Sequence, residues 1–137
     1  MIADALFQLM RRKAFEQISV TEICEEAAIG RKTFYRNFEL REDVIAYRLD
    51  QMVEEYEIEL VGLSLEGQLR HHFEYVRRYQ DIFITLYRNN LIWMSASRFI
   101  ILLPKTMPGW SENEVEQKYR CGYIMAGIEA IQKIWIE

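Results

Sequence analysis

The stretch Ile18-Ser-Val-Thr-Glu-Ile-Cys-Glu-Glu-Ala-Ala-Ile-Gly-Arg-Lys-Thr-Phe-Tyr-Arg-Asn-Phe38 reads as two short helices joined by a tight turn. Thr21, ahead of Glu22 and Ile23, can N-cap the first of them, with Ser19 as a rival cap. Ile23, Cys24 and Ala27 form its apolar face. Ile29-Gly30 supplies the turn, because Gly accepts backbone angles that other residues resist. Gly30 is also an acceptable N-cap for the helix that follows. That helix opens with Arg31, Lys32 and Thr33 and carries Tyr35 and Arg36. Phe34 and Phe38, four apart, anchor it on a core, which leaves the basic and polar residues to point outward or sideways. A short basic and aromatic helix held by a packed partner is how proteins read a DNA major groove.

Upstream, Ile2, Leu6, Leu9 and Met10 recur at helical spacing and predict a first helix to about Ala14. Phe15-Glu-Gln-Ile18 then turns the chain inward. Downstream, a long fourth helix is expected from about Arg41 to Leu60. Its apolar stripe is Ile45, Leu49, Met52, Tyr56 and Leu60, and Glu42 and Asp43 sit in its first turn, where they favour the positive end of the helix dipole. Gly62 to Gly67 reads as a break. Leu69, Phe73, Val76 and Tyr79 form the next stripe, followed by Ile82, Phe83, Leu86 and Tyr87, and Asn89-Asn90 suggests a kink or short turn. Leu91 to Leu103 is strongly apolar, so its helix is expected to be buried on most sides. Pro104 to Ser111 reads as a loop, and a last helix starts at Ser111 or Glu112.

The fold class is therefore all-α: a three-helix helix-turn-helix head joined by a long fourth helix to a helical bundle. The expected division is 1–45 for the head and 46–137 for the body. With 137 residues, half of them hydrophobic, the chain can bury a real core. No apolar run approaches the roughly 20 residues needed to cross a bilayer. Met1-Ile-Ala-Asp4 carries no basic n-region, so no signal peptide is expected and the expected location is cytoplasmic. Cys24 and Cys121 are isolated in apolar patterns and read as small buried hydrophobes rather than a disulfide. The net charge is −4, but its distribution matters more than its sum. Arg31–Arg41 holds four basic residues and one acid, so positive charge gathers where a groove-reading helix needs it.

On these residues the chain resembles the tetracycline-repressor (TetR/AcrR) family of bacterial regulators. The resemblance runs through Ala5-Leu6, Phe15, Ile18-Ser-Val-Thr-Glu-Ile23, Ala27, Thr33-Phe-Tyr35, Phe38 and Arg41-Glu-Asp-Val44, within residues 2–48. It implies a DNA-binding transcriptional regulator, a repressor released by a ligand bound in the helical body, whose partners are a double-stranded DNA operator and a second copy of the chain. Thr21 would contact a phosphate, Arg31, Lys32, Thr33 and Arg36 would face the groove or its rims, and Tyr35 and Arg41 would hold phosphates. Arg can pair bidentately with guanine while Lys, Thr and Tyr suit phosphates. Which of Arg31, Lys32 and Arg36 reads a base stays open. The sequence departs from the family at Ala28, where a turn glycine is usual, and at Gly30, where a capping serine is usual. The turn glycine is expected to be displaced by two positions. The family's basic lead-in before the first helix is not in the sequence, nor is a further helix after Trp135-Ile-Glu137.

In the body, Tyr56, Phe73, Tyr79, Phe83, Tyr87, Trp93, Phe99 and Tyr123 are the candidate ligand-binding residues, joined by Met94, Trp110 and Met125. Singly each reads as core. Together they outline a pocket for a small apolar or aromatic ligand, because ligand sites are mostly apolar with a few polar groups. The last helix carries Gly122, Ala126 and Ala130 at four-residue spacing, with Tyr119, Tyr123 and Ile134 around them. That pattern fits close packing inside the chain as well as a dimer face. The family resemblance implies the dimer, through a four-helix bundle made by the last two helices. A metal site is not expected, since His71 and His72 point about 100° apart on a helix and have no third partner. No cofactor is expected. The sequence has no phosphate loop, nucleophile elbow or metal-ligand spacing, so it reads as a non-enzyme. The alternatives are a regulator of the same fold that answers to a protein partner or to no ligand and, remotely, a small helical enzyme.

Overall fold

The computed structural model describes residues 1–102, 105 and 113–136. Among the described residues there are eight α-helices, two 3-10 turns and no strand. In chain order these are α1 (Ile2–Arg12), a 3-10 turn (Phe15–Gln17), α2 (Val20–Glu26), α3 (Arg31–Asn37) and α4 (Arg41–Glu59). The body adds α5 (Leu65–Arg78), α6 (Gln80–Arg88), α7 (Trp93–Phe99), a second 3-10 turn (Ile100–Leu102) and α8 (Glu114–Ile136). The expected loop over Pro104–Ser111, apart from Lys105, the start at Ser111 or Glu112, and Trp110 lie outside the described residues.

In the head, Ala3, Leu6, Phe7 and Met10 of α1 pack with Ile23 and Cys24 of α2, Phe34 of α3 and Val44 and Ile45 of α4. Helices of seven residues are marginal in isolation. Packing of their apolar anchors, above all the fully buried Phe34, is therefore what holds α2 and α3 in shape. Ser19, not Thr21, caps α2. Its Oγ accepts from the Glu22 amide at 3.2 Å while Glu22 Oε2 accepts from the Ser19 amide at 2.8 Å, a reciprocal capping box. Lys13 pairs with the other oxygen of Glu22. That hydrogen bond, with those from Ser19, holds the Glu22 carboxyl down at about 2.

The turn between α2 and α3 is not where the glycine predicts. Gly30 has φ −80° and caps α3, whereas Ala28 takes the left-handed conformation, at φ +53°. The Ile29 amide reaches the Cys24 carbonyl at 2.9 Å and the Ala28 amide reaches that of Glu25 at 3.1 Å. This is a Schellman closure, with an alanine at the position glycine usually takes. No glycine is displaced: the turn keeps its usual place with a less suitable residue in it. The same closure ends α6, where Asn90 has φ +56° and the Leu91 amide reaches the Leu86 carbonyl at 2.8 Å.

Arg41 departs from its expected phosphate role. Its guanidinium is turned inward, donating to the Phe15 carbonyl at 3.0 Å and to that of Ile18, and lies 4.8 Å from the Phe15 ring centroid. Asn89, buried at the end of α6, meets the same turn from the body. Its Oδ1 accepts from the Phe15 amide at 2.7 Å and its Nδ2 donates to the Thr85 and Met10 carbonyls.

The head and body cores are one continuous cluster running along α4. At the far end of α4, the Tyr75 hydroxyl donates to the Met52 carbonyl at 2.8 Å and the Tyr79 hydroxyl to Glu55 at 2.6 Å. Arg78 pairs with Glu59 at 2.7 Å. The predicted break ends earlier than expected: Ser64 caps α5 through the Gly67 amide, so Gly67 is inside the helix. The buried residues of α5 are Tyr75 and Val76, while Leu69 is exposed. Trp93 and Ile101 are also exposed, so the described part of the apolar run, Leu91–Leu102, is buried on one side only, through Met94 and Leu102.

Two substitutions test these local readings. Ala28→Gly is expected to raise stability by about 1 kcal/mol, since an L-residue in the left-handed region costs roughly 1–2 kcal/mol that glycine does not. Arg41→Ala is expected to lower stability by about 2 kcal/mol, because two carbonyls lose a charged donor. Urea unfolding midpoints read both, and an unchanged midpoint for either variant refutes the corresponding assignment.

Candidate nucleic-acid interface and body cavity

On α3 the buried Phe34 sets one side of the helix. At 100° per residue, Lys32 and Arg36 share the opposite side, with Thr33 next to them and Arg31 and Tyr35 flanking. Lys32, Arg31, Tyr35 and Arg36 are exposed and Thr33 is half-buried. The Tyr35 ring meets Phe34 edge-on at 5.4 Å, which holds one side of an otherwise exposed residue against the head. Phe38 is only half-buried and packs between Phe34 and Tyr47. Thr21 is exposed at the second position of α2.

Electrostatics single out the same face. Arg11, Arg12 and Lys13 at the end of α1 are neutralised by Asp81, Glu26 and Glu22. Arg31, Lys32 and Arg36 have no salt-bridge partner among the described residues. With Arg41 turned inward, the exposed uncompensated positive charge of the head therefore lies on α3, where it can neutralise backbone phosphates. Of the seven residues expected at this surface, five lie on α3, Thr21 lies on α2, and Arg41 is withdrawn into the head.

The body holds a cavity of about 580 Å³ between α5, α7 and α8, with Phe83 of α6 and the end of α4 in its wall. Tyr56, Phe73, Phe83, Phe99 and Tyr123 line it as expected. Tyr79, Tyr87 and Trp93 do not: Tyr79 is bound to Glu55 across α4 and α5 and lies under Arg48, and Trp93 faces solvent. Sequence reasoning missed Tyr75 and His72, which also line it. The signal for His72 was present in the His71-His72 pair, but a metal was the only role considered for it.

Those two histidines flank Tyr56 instead. Nδ1 of His72 is 3.2 Å from the Tyr56 hydroxyl, and Nε2 of His71 is 3.0 Å from Glu59 Oε2 in an off-line contact that completes no hydrogen bond. Burial pushes the Tyr56 phenol up to about 12. Burial, reinforced by the neighbouring charge of His71, pushes the His72 imidazole down to about 4. Among the described residues no group of three metal-ligating side chains occurs. No helix among them is long and apolar enough to cross a membrane.

On α8, Gln117, Cys121, Ile124, Ile128 and Gln132 fall on the side toward the body by helical angle. Tyr119, Gly122, Tyr123, Ala126, Ala130 and Ile134 fall on the other side. All six are exposed, Tyr119 at 78 %, Tyr123 at 85 % and Ile134 at 75 %.

The neutral state of His72 gives a pH dependence. A histidine near 4 when folded and 6.5 when unfolded takes up its proton in the unfolded chain first. Stability is therefore full above about 6.5 and falls as the pH drops toward 4. The loss is up to about 3 kcal/mol. Urea midpoints at pH 7 and 4.5 are expected to separate more for the parent than for His72→Gln. Equal separations remove the argument.

Residues 2–47 match the family model of bacterial regulatory proteins, tetR family. No curated protein and no solved structure matches the chain. The matched segment takes in α1 through α3 and the first turns of α4, and so contains the whole uncompensated basic face. The match covers about a third of the chain, and by that head the chain is similar to bacterial regulators of the tetR family, which supports a DNA-binding transcriptional regulator.

Proposed function

We propose that the chain is a dimeric repressor that leaves its operator when a small molecule fills the body cavity. The observation that carries the DNA-binding half is the unpaired basic face of α3 opposite Phe34. Lys32 and Arg36 enter the major groove, with Thr33 beside them. Arg31, Tyr35 and Thr21 hold phosphates at the rims. Arg41 drops out of the contact set, because its guanidinium is turned into the head, with Nη1 on the Phe15 and Ile18 carbonyls and the group over the Phe15 ring. Residues 1–45 read the DNA, while residues 46–137 sense the ligand and pair the copies.

The sensing half is supported by the cavity itself, whose size falls within the roughly 300–1,000 Å³ usual for small-molecule sites. A protein-controlled regulator of the same fold would have no use for such a space. The pairing half is supported by α8, whose exposed face carries Tyr119, Tyr123 and Ile134 beside small residues that allow close helix approach. A second copy covering that face places two reading helices on half-sites about one helical turn or a multiple apart.

The test is selection of bound fragments from random duplex DNA, followed by titration at several salt concentrations. The selected site is expected to be an inverted repeat. Arg36→Ala is expected to weaken binding to it by about 1–3 kcal/mol, and Arg31→Ala to flatten the salt dependence by about one unit of slope for each phosphate lost. Tyr35→Phe is expected to bind more weakly with unchanged helicity. If all three variants hold the selected site as tightly as the parent, α3 is not the reading helix.

A further inference from the structure

We propose that the cavity is built for an uncharged, mainly apolar ring compound carrying a neutral hydrogen-bonding group, and that it rejects anions and cations. The proposal deepens the ligand-release reading but stands on the cavity alone. Tyr56, Phe73, Phe83 and Phe99 give it aromatic walls from four helices, and Ile124 and Ile128 close it from α8. Ring faces and edges in several orientations, such as Tyr56 against Phe99 at 74°, favour a flat or polycyclic guest.

Charge decides the class. Among the described residues no lysine or arginine lines the cavity, so a carboxylate, sulfonate or phosphate would be buried without a counter-ion. Among the described residues the one lining carboxylate is Glu129, which is exposed on α8. A cation would therefore lose its hydration with no desolvated partner in return. The other polar groups include Gln68, Ser95 and Gln132, His72 held neutral by burial, and the Tyr56 and Tyr75 phenols, which burial keeps protonated. They can direct a hydroxyl, carbonyl or amide of the guest but cannot balance a charge.

Three fluorescent probes separate the classes on the full chain. N-phenyl-1-naphthylamine is uncharged, 8-anilinonaphthalene-1-sulfonate is the same ring system with a sulfonate, and thioflavin T is a cation. The uncharged probe is expected to bind saturably and at least about tenfold more tightly than either ion, the ions paying the burial of an unpaired charge. Ala96→Phe, which adds a ring to the lining, is expected to abolish that binding with circular dichroism unchanged. Gln68→Lys adds a cation to the lining and is expected to bring the sulfonate to within about threefold of the uncharged probe. It also decides the matter if Ala96→Phe does not fold. No saturable binding of the uncharged probe overturns the proposal. So does an ion that binds as tightly as the uncharged probe and is lost in Ala96→Phe, or uncharged binding that survives in that variant. If the uncharged probe fills the cavity but DNA stays bound, the release reading fails and the ligand class stands.

Discussion

The connection Phe15–Ile18 is the constraint on which the rest of the structure depends. It lies between α1 and α2 and is too short for a helix ladder to satisfy its backbone groups. Buried amides and carbonyls must nevertheless be paired. Two side chains do this from opposite directions. Arg41, at the start of α4, donates to the carbonyls of Phe15 and Ile18 and covers the Phe15 ring. Asn89, at the end of α6, accepts from the Phe15 amide and donates to the Met10 carbonyl. An amide side chain is suited to this, since it offers an acceptor and donors on one planar group. Aspartate there would keep the acceptor but lose both donors. Because α2 and α3 hang from this connection, its position fixes where the reading helix points.

Asn89 also joins two regions that sequence places far apart. Phe83, in the cavity wall, lies six residues before it on α6, about 9 Å along the helix axis. Beyond it, the left-handed Asn90 leads directly to α7, whose Ser95, Ala96 and Phe99 line the same cavity. A displacement of α6 or α7 by a guest therefore acts on a helix end that is hydrogen-bonded to the head. A packed core does not absorb such a displacement smoothly. The proposed release needs a physical path of this kind, and α4, anchored at Arg41 and Tyr56, runs beside it.

The head was legible in the sequence because local signals agreed there. Apolar period, capping residues and the short basic helix all pointed to one arrangement. What was not legible depended on contacts between distant residues. Arg41 looks like a phosphate ligand from its place in the chain, and only the fold brings the carbonyls of Phe15 and Ile18 to it. Ala28 was hidden by Gly30, since the search for a turn looked for the residue that turns most easily. In the body, α5 is contacted by α4 on one side and by α8 on another, so no single stripe describes it. The spacing Leu69, Phe73, Val76, Tyr79 therefore overlooked Tyr75, the most deeply buried side chain of that helix. Trp93 was misplaced because an apolar run of residues says nothing about which side of its helix meets the core.

The last helix raises the sharpest physical question. A helix with apolar residues on two opposite sides cannot bury both against one body: α8 covers the cavity with Ile124 and Ile128 and leaves Tyr119, Tyr123 and Ile134 exposed. The angular separation of the two faces is large, so no shift along the helix axis could bury both against the same body. Rotating α8 to bury the outer face would open the cavity by the same movement. The inner face must therefore stay on the body if the cavity is to hold a guest, and the outer face needs a surface from elsewhere. In the proposed dimer a second copy of the chain supplies one with matching chemistry, because a twofold contact sets the same patch against itself. Tyr123 then stands at the border of both surfaces, since it lines the cavity and belongs to the outer face. In the proposed regulator, filling the cavity and pairing the copies draw on one helix, so each is expected to respond when the other changes.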